Sequence, residues 1–324
     1  MGLLGPLEIN IMKLEIHTKI LALVVFIFLV SCKQDATKTY QAETIEKTPF
    51  KYSLAQWSFH EALQSGQMDN LDFAQAAADL GFEGVEYVSQ FFQDKAEDIQ
   101  YLNEMKAKAD EAGIKNVLIM VDDEGDLAHQ DSLMRDQYAQ GHFKWVDAAK
   151  YLGCHAVRVN LFGEMHDRDA WIKYATDGLG KLAKYGEQEK IHVLVENHGW
   201  MSSDASAVVE VIKNINNPFC GTLPDFGNFC TARKDNELWG DDICIKEYDK
   251  YKGVEELLPY AKALSAKSYD FDSLGNETKI DYSKMMDLVK AANYTGYIGV
   301  EFESIGMPEK EGILATKKLL QSLE

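Results

Sequence analysis

Eight short apolar runs recur along the chain, at residues 52–59, 84–88, 116–121, 156–160, 192–197, 220–223, 263–269 and 297–302. Between them lie stretches whose apolar residues return at three- and four-residue spacing, the helical period, at 71–80, 98–112, 130–152, 171–188, 205–215, 282–292 and 313–323. Several junctions repeat one phrase, a glycine or small residue just before the run: LGFEGVEYV, AGIKNVLIM, LGCHAVRVN, YTGYIGVEF. A helix that closes on glycine and turns at once into a buried strand is the mark of a βα unit. Eight such units in about 270 residues predict a single-domain α/β fold, a closed (β/α)8 barrel rather than an open doubly wound sheet.

Three of the runs end on a carboxylate: LVENHG at Glu196, TLPDFGN at Asp225 and IGVEFE at Glu301. A buried strand excludes charge unless the charge is paired or bound, so these three acids are expected to belong to one site. A barrel places its chemistry at the carboxyl ends of its strands. Read in order, those ends carry Glu86, Asp122, Arg158 with Asn160, Glu196 with His198, Asp225 with Asn228, Lys267, and Glu301 with Glu303. Strand alternation puts Arg158 with Asn160, Ser265 with Lys267, and Glu301 with Glu303 on common faces. One connection, 227–251, is long, polar and centred on Trp239, and directly follows Asp225. Connections of this length in a compact domain are usually functional, and a lid is expected.

Composition narrows the partners. The 324 residues are 46% hydrophobic, enough for one large core, and the net charge of −19 argues against a nucleic-acid partner, which needs clustered Lys and Arg. Residues 1–32 follow their own logic: Lys13 and Lys19 precede an uncharged run at 20–30, too short to span a bilayer and suited to a signal-peptide core. The alternative is an uncleaved anchor helix. Residues 33–49 are polar and aperiodic and read as a flexible tether to a catalytic domain at 50–324. Cys154 and Cys220 sit beside strand-like runs, as small buried hydrophobes do. Cys230 and Cys244 share the polar excursion, where a disulfide is one option.

Three carboxylates at one mouth cannot all ionise without a cation. A divalent metal held by Glu196, Asp225 and Glu301 would supply it, Mn²⁺ or Mg²⁺ on an oxygen-only donor set; so would Lys267 and Arg158. Glu86 reads equally as a pocket residue or a paired structural acid, and Arg158 as an anion binder or a salt-bridge partner. His198 contacts substrate or holds a loop; Trp57 and Phe59 form an apolar wall of the pocket or join the core.

The order Glu at strand five, Asp at strand six, a polar group at strand seven and Glu at strand eight resembles the xylose-isomerase-like TIM-barrel superfamily. That superfamily includes sugar epimerases and isomerases, inosose dehydratases and endonuclease IV. The phrases ENHG, PDFGN and AKSYDFD resemble those of its exported isomerase/epimerase-like members, and Leu29-Val30-Ser31-Cys32 resembles a bacterial lipobox. The resemblance implies that Glu196 and Glu301 bind a metal and move protons, that Asp225 is a ligand, and that Cys32 carries a lipid. Two departures stand out: Ser265 occupies the place of the strand-seven histidine, and Asn228 that of the histidine three residues after the aspartate. Both point to an altered site in which Lys267 takes part.

The expectation is therefore an exported, membrane-anchored lipoprotein of the periplasm or outer membrane, touching the membrane through its lipid alone. It would isomerise or epimerise a small unphosphorylated carbohydrate or keto-sugar with a divalent ion. Glu196, Glu301 and Lys267 would be catalytic, and Glu86, Arg158, Asn160, His198, Asn228 and Trp57 substrate-binding. A keto-sugar or keto-glycoside lyase or dehydratase and a non-catalytic sugar-binding lipoprotein are the alternatives. Homo-oligomerisation is left open.

Overall fold

The computed structural model describes residues 50–163, 167–234, 243–304 and 306–324. Cys32, the signal-peptide and tether expectations, and Trp239 lie outside the described residues. Among the described residues no helix is long and apolar enough to cross a membrane.

The eight expected strands form: β1 Lys51–Ala55, β2 Gly84–Val88, β3 Lys115–Val121, β4 Ala156–Val159, β5 His192–Glu196, β6 Cys220–Leu223, β7 Leu264–Ser268 and β8 Tyr297–Phe302. Sequential neighbours from β1 to β6 pair in parallel, as do β7 with β8 and β8 with β1. Between β6 and β7 the ladder is reduced to two parallel bridges, Thr222 with Ala261 and Asp225 with Ser265. Pro224 lies in that seam and has no N–H to donate, yet its carbonyl accepts from Ser265 N (3.0 Å) and Phe226 N reaches Ser265 O (3.0 Å). The sheet closes there, giving the (β/α)8 barrel.

Period-two alternation separates two cores. Val157, Val159, Val193, Val195, Leu264, Ala266, Ile298, Val300 and Phe302 face the helices, whereas Ala156, Leu194, Leu223 and Ala263 fill the barrel interior with Val117, Leu118 and Met120. Continuing each inward series along its strand leads from apolar residues to Arg158, Glu196, Lys267 and Glu301. The helices are delimited as their sequences require. Aspartates 98, 131, 167, 204, 249 and 281 cap helix N-termini by accepting backbone N–H groups. Gly113 and Gly153 close helices in the left-handed region (φ 68° and 81°), two residues before β3 and three before β4 respectively.

Three local expectations change. The run at 52–59 stops as a strand at Ala55 and continues as a 3-10 turn, Gln56–Phe59. Side chains replace the ladder there: Gln56 Oε1 accepts from Val88 N (2.9 Å), and Ser58 Oγ accepts from Phe302 N (3.0 Å) while donating to Val300 O (3.2 Å). Phe59 is buried against Phe73, so it is core rather than a sugar wall. The stretch at 130–152 is two helices, Ser132–Gly141 and Phe143–Leu152, parted at His142, whose ring Nδ1 lies 2.7 Å from the Tyr138 carbonyl that the helical ladder also uses. The excursion after β6 contains an antiparallel hairpin, Cys230–Arg233 with Cys244–Glu247, tied by a Cys230–Cys244 disulfide (Cα–Cα 5.8 Å), and then the helix Lys250–Leu257.

Gly178, inside the helix Arg168–Glu189, packs so closely on the loop after β3 that a Cβ would stand 1.9 Å from the Leu127 carbonyl oxygen. Alanine normally improves a helix interior by about 1 kcal/mol over glycine. Here Gly178→Ala is expected to destabilise by about 1–3 kcal/mol through backbone overpacking; urea unfolding with an unchanged or higher midpoint would contradict that.

Candidate functional site

At the carboxyl ends of the strands lies a cleft of about 520 Å³, bordered by Trp57, Asp122, Arg158, Asn160, His198 and Asn228 among others. Its floor is acidic. Glu196 from β5, Asp225 from the turn after β6 and Glu301 from β8 are all buried, and one carboxylate oxygen from each lies within 4.8 Å of the others. The bond of Lys267 across β7–β8 is set by register, since Lys267 pairs directly with Glu301. Its ammonium lies 2.9 Å from Glu301 Oε1 and 2.7 Å from Glu303 Oε2. Two residues earlier on the same face, Ser265 Oγ is 2.7 Å from Asp225 Oδ2 and 2.8 Å from Glu301 Oε2. A hydroxyl has one proton and can donate to only one of them at a time.

Asp225 is held by its own turn, Oδ1 accepting from Gly227 N (2.8 Å) and Asn228 N (2.6 Å). Asn197, the residue after Glu196, staples that turn to β5: its Oδ1 accepts from Asp225 N (2.8 Å) and its Nδ2 donates to Asp225 O (2.9 Å). This staple was not anticipated, although an amide directly after a strand-end acid is a natural turn-holder. Asp122, one of the strand-end residues, is the salt-bridge partner of Arg158: its Oδ1 accepts from Arg158 Nη1 (2.5 Å) and Asn160 Nδ2 (2.9 Å). Asn160 Oδ1 in turn lies 2.7 Å from His198 Nδ1. Burial, with Arg158 and Lys267 nearby, holds the His198 imidazole well below its ordinary range, so the ring is neutral and donates from Nδ1. Trp57 Nε1 donates to Glu303 Oε1 (3.1 Å), and its ring stacks on His60 at 5.0 Å. Phe162, Tyr269, Gln90 and Arg233 also border the cleft and carry no strand-end signal that would have singled them out.

Glu86 departs from expectation. It is fully buried and, like Glu196 and Asp225, does not border the cleft; unlike them it stands apart from the three converging acids. Ser53 Oγ donates to its Oε1 at 2.6 Å, while Oε2 has no hydrogen-bond partner and faces Gly299, where a Cβ would stand 2.6 Å from that oxygen. The glycine makes room for the acid.

The electrostatics follow from burial. Burial pushes the Glu86 carboxyl up to about 8 and that of Asp225 up to about 6, and it raises Glu196 well above the ordinary range in spite of Arg158. Burial alone would lower the Lys267 ammonium, but Glu301, Glu303 and Asp225 outweigh it and hold it well above the usual lysine range. Lys267 in turn holds Glu303 down to about 2. Arg158 Nε lies 2.8 Å from Glu196 Oε2, an ion-pair distance, yet the two are out of line for a hydrogen bond and both atoms lack one. The Coulomb attraction survives that misalignment; the directional bond does not.

The donor set fits a divalent ion. Three buried carboxylates converge, Glu196 Oε2 has no hydrogen bond, and one serine proton must serve two acid oxygens. A cation among them would relieve all three conditions, and oxygen-only donors favour Mg²⁺ or Mn²⁺ over zinc.

The sequence pattern of the xylose isomerase-like TIM barrel matches residues 74–323. The chain belongs to that family. No curated protein sequence is significantly similar to it. Among solved structures, a 3-keto-D-glucoside 4-epimerase from E. coli is similar with a TM-score of 0.63 and 14% identity, over 85% of this chain and 100% of its own. The D-psicose 3-epimerase of Clostridium cellulolyticum H10 is similar with a TM-score of 0.61 and 15% identity, over 85% of this chain and 96% of its own. A sugar phosphate isomerase/epimerase from Parabacteroides distasonis matches with 0.61 and 15%, over 88% and 98%. At such identities the likeness carries the fold. Within this xylose isomerase-like barrel, Ser265 sits among the acids, and Asn228 borders the cleft with its buried Nδ2 unpartnered.

Glu86 yields a pH test outside the three converging acids. Its folded pKa, about 8, lies above the 4.5 of an ordinary glutamate, so the native state holds a proton the unfolded state has lost. Its stabilising contribution is complete below about pH 4.5 and disappears as pH rises through 8, on the order of 5 kcal/mol in all. Glu86→Gln is expected to flatten the decline of stability between pH 5 and 8, measured by denaturant unfolding; an equally steep decline in the variant would contradict the assignment.

Proposed function

We propose that the protein is an isomerase or epimerase of a small unphosphorylated carbohydrate or keto-sugar, working by proton transfer at the carbon beside a carbonyl. One observation carries this reading: two buried glutamates from β5 and β8 meet an aspartate, and one of them, Glu301, borders a cleft whose walls are aromatic and amide-bearing. The family and the similar epimerases support it. Proton abstraction needs a base beside the reacting carbon and an acid able to return the proton. Glu196 and Glu301 stand in different environments, which is how paired carboxyls divide such work. Glu196 is raised by burial and has an oxygen without a hydrogen bond, so it is assigned the proton-carrying role. Glu301, with an ammonium on one oxygen and a hydroxyl on the other, is assigned the base.

A divalent ion held by Glu196, Asp225 and Glu301 would polarise the substrate carbonyl and so acidify the adjacent C–H. Lys267 and Arg158 border the same space and offset negative charge that develops on the substrate oxygens. Neutral His198, fixed through Asn160, and Asn228 are placed to hydrogen-bond sugar hydroxyls, and Trp57 gives an apolar face for a ring. Return of the proton to the opposite face gives epimerisation, and return to the neighbouring carbon gives aldose–ketose isomerisation. The reading includes export through a lipid on Cys32, a compartment poor in sugar phosphates.

The test is incubation with ketohexoses and 3-keto-glucosides in D2O with Mn²⁺, followed by NMR. One solvent deuteron is expected to enter beside the carbonyl with the glycosidic bond intact, and Glu301→Gln is expected to slow exchange by about 10²–10⁴-fold. An unsaturated product with release of the aglycone would make the protein a lyase. Ligand binding without exchange in wild type would make it a binding protein.

A further inference from the structure

We propose that Lys267 is a built-in competitor for the divalent ion, and that its movement between Glu301 and Glu303 sets how tightly the site loads. The proposal rests on the reading that Glu196, Asp225 and Glu301 hold a cation. It concerns how this chain departs from a plain acidic triad.

Lys267 is 2% exposed, and the parallel register of β7 and β8 fixes it beside Glu301. Both Glu301 oxygens are engaged, Oε1 with the ammonium at 2.9 Å and Oε2 with Ser265 Oγ at 2.8 Å. Both Asp225 oxygens are engaged as well, Oδ1 with two backbone N–H groups and Oδ2 with Ser265. Glu196 Oε2 alone in the triad is buried with no hydrogen bond, although Arg158 Nε stands 2.8 Å from it as an ion-pair partner. An incoming ion therefore shares Glu196 with the Arg158 guanidinium and must win Glu301 from Lys267. Like charges at such separations repel strongly where water is excluded, so a bound dication and an ammonium cannot share Glu301 on equal terms.

The structure also supplies the place to which the ammonium retreats. Glu303, two residues along β8 on the same face, already lies 2.7 Å from Lys267 Nζ and is outside the triad. Its other oxygen is fixed by Trp57 Nε1 at 3.1 Å, and its side chain is 40% exposed at the cleft. Before loading, Lys267 bridges the two glutamates and neutralises the triad; with the ion in place, it pairs with Glu303 alone. The ammonium thus lets the barrel fold without metal and weakens the site for it. A residue that served only as packing would leave ion affinity unchanged when altered.

The test measures binding rather than turnover. Mn²⁺ is titrated into metal-free full-length protein, with free Mn²⁺ read by electron paramagnetic resonance and the ion's effect on the melting temperature read in parallel. Lys267→Met is expected to bind Mn²⁺ at least tenfold more tightly than wild type and to gain more melting temperature from it. Glu303→Gln removes the retreat and is expected to weaken binding several-fold. The opposite signs of the two variants are the signature, and Glu303→Gln decides alone if Lys267→Met does not accumulate as folded protein. Equal or weaker binding by Lys267→Met, equal or tighter binding by Glu303→Gln, or no Mn²⁺ binding by wild type and either variant would overturn the proposal. Deuterium exchange by the same wild-type preparation is scored separately, so loss of the competition leaves the isomerase reading to its own test.

Discussion

Three carboxyl groups share a space from which water is excluded, and positive charge must be arranged around them. An isolated buried carboxylate costs several kcal/mol or more, and like charges a few ångströms apart raise each other's pKa. Here Glu196, Asp225 and Glu301 lie within reach of a single ion, and two buried cations, Arg158 and Lys267, press on them from adjacent strands. Much of the surrounding polar architecture answers that demand. Asp122 takes one end of the Arg158 guanidinium, Glu303 takes part of the Lys267 ammonium, and Ser265 spans two acids with one proton. Breaking one member of such a network by truncation leaves an uncompensated buried charge, which typically costs about 3–5 kcal/mol.

The barrel makes this crowding possible without abandoning its own stability. Each strand spends its lower inward positions on Ala156, Leu194 or Ala263 and only its upper ones on charge, so a dry apolar plug underlies the acids. Glu86 is the exception, an acid set in that interior, with Ser53 on one oxygen and Gly299 cleared away from the other. Its charge is suppressed by burial, so it adds no anion to the floor near neutral pH. Where strand geometry fails, side chains complete the hydrogen bonds: Gln56 and Ser58 serve β2 and β8, and Asn197 serves the turn at Asp225.

The strands were legible because period-two burial and glycine-marked helix exits are local, and all eight fall within a few residues of the apolar runs. The convergence of Glu196, Asp225 and Glu301 was legible for a related reason: charge at the end of an apolar run is costly unless it is used. What sequence pattern could not carry was the partnership of side chains across strands. Glu86 looked like its strand-end neighbours because its sequence context is the same, and only the position of Gly299 on β8 shows that it lies under the floor. Asn197 lies in a polar dipeptide where the fold alone selects the working residue, and the pairing of Asp122 with Arg158 joins residues 36 positions apart. Gln56 and Ser58 ended β1 early through contacts with strands 32 and 244 positions away. The hairpin at Cys230–Arg233 likewise needed its disulfide partner brought alongside before the excursion could be read as ordered structure.

The central claim is that three acids from β5, the β6 turn and β8 act as one cation site. Diffraction from a crystal soaked in Mn²⁺, collected at the manganese absorption edge, addresses it without any assumption about substrate. An anomalous peak is expected about 2.0–2.6 Å from carboxylate oxygens of Glu196, Asp225 and Glu301 together, with the Lys267 ammonium drawn onto Glu303. A peak elsewhere, or no peak while the three acids stay bonded as they are, would contradict it.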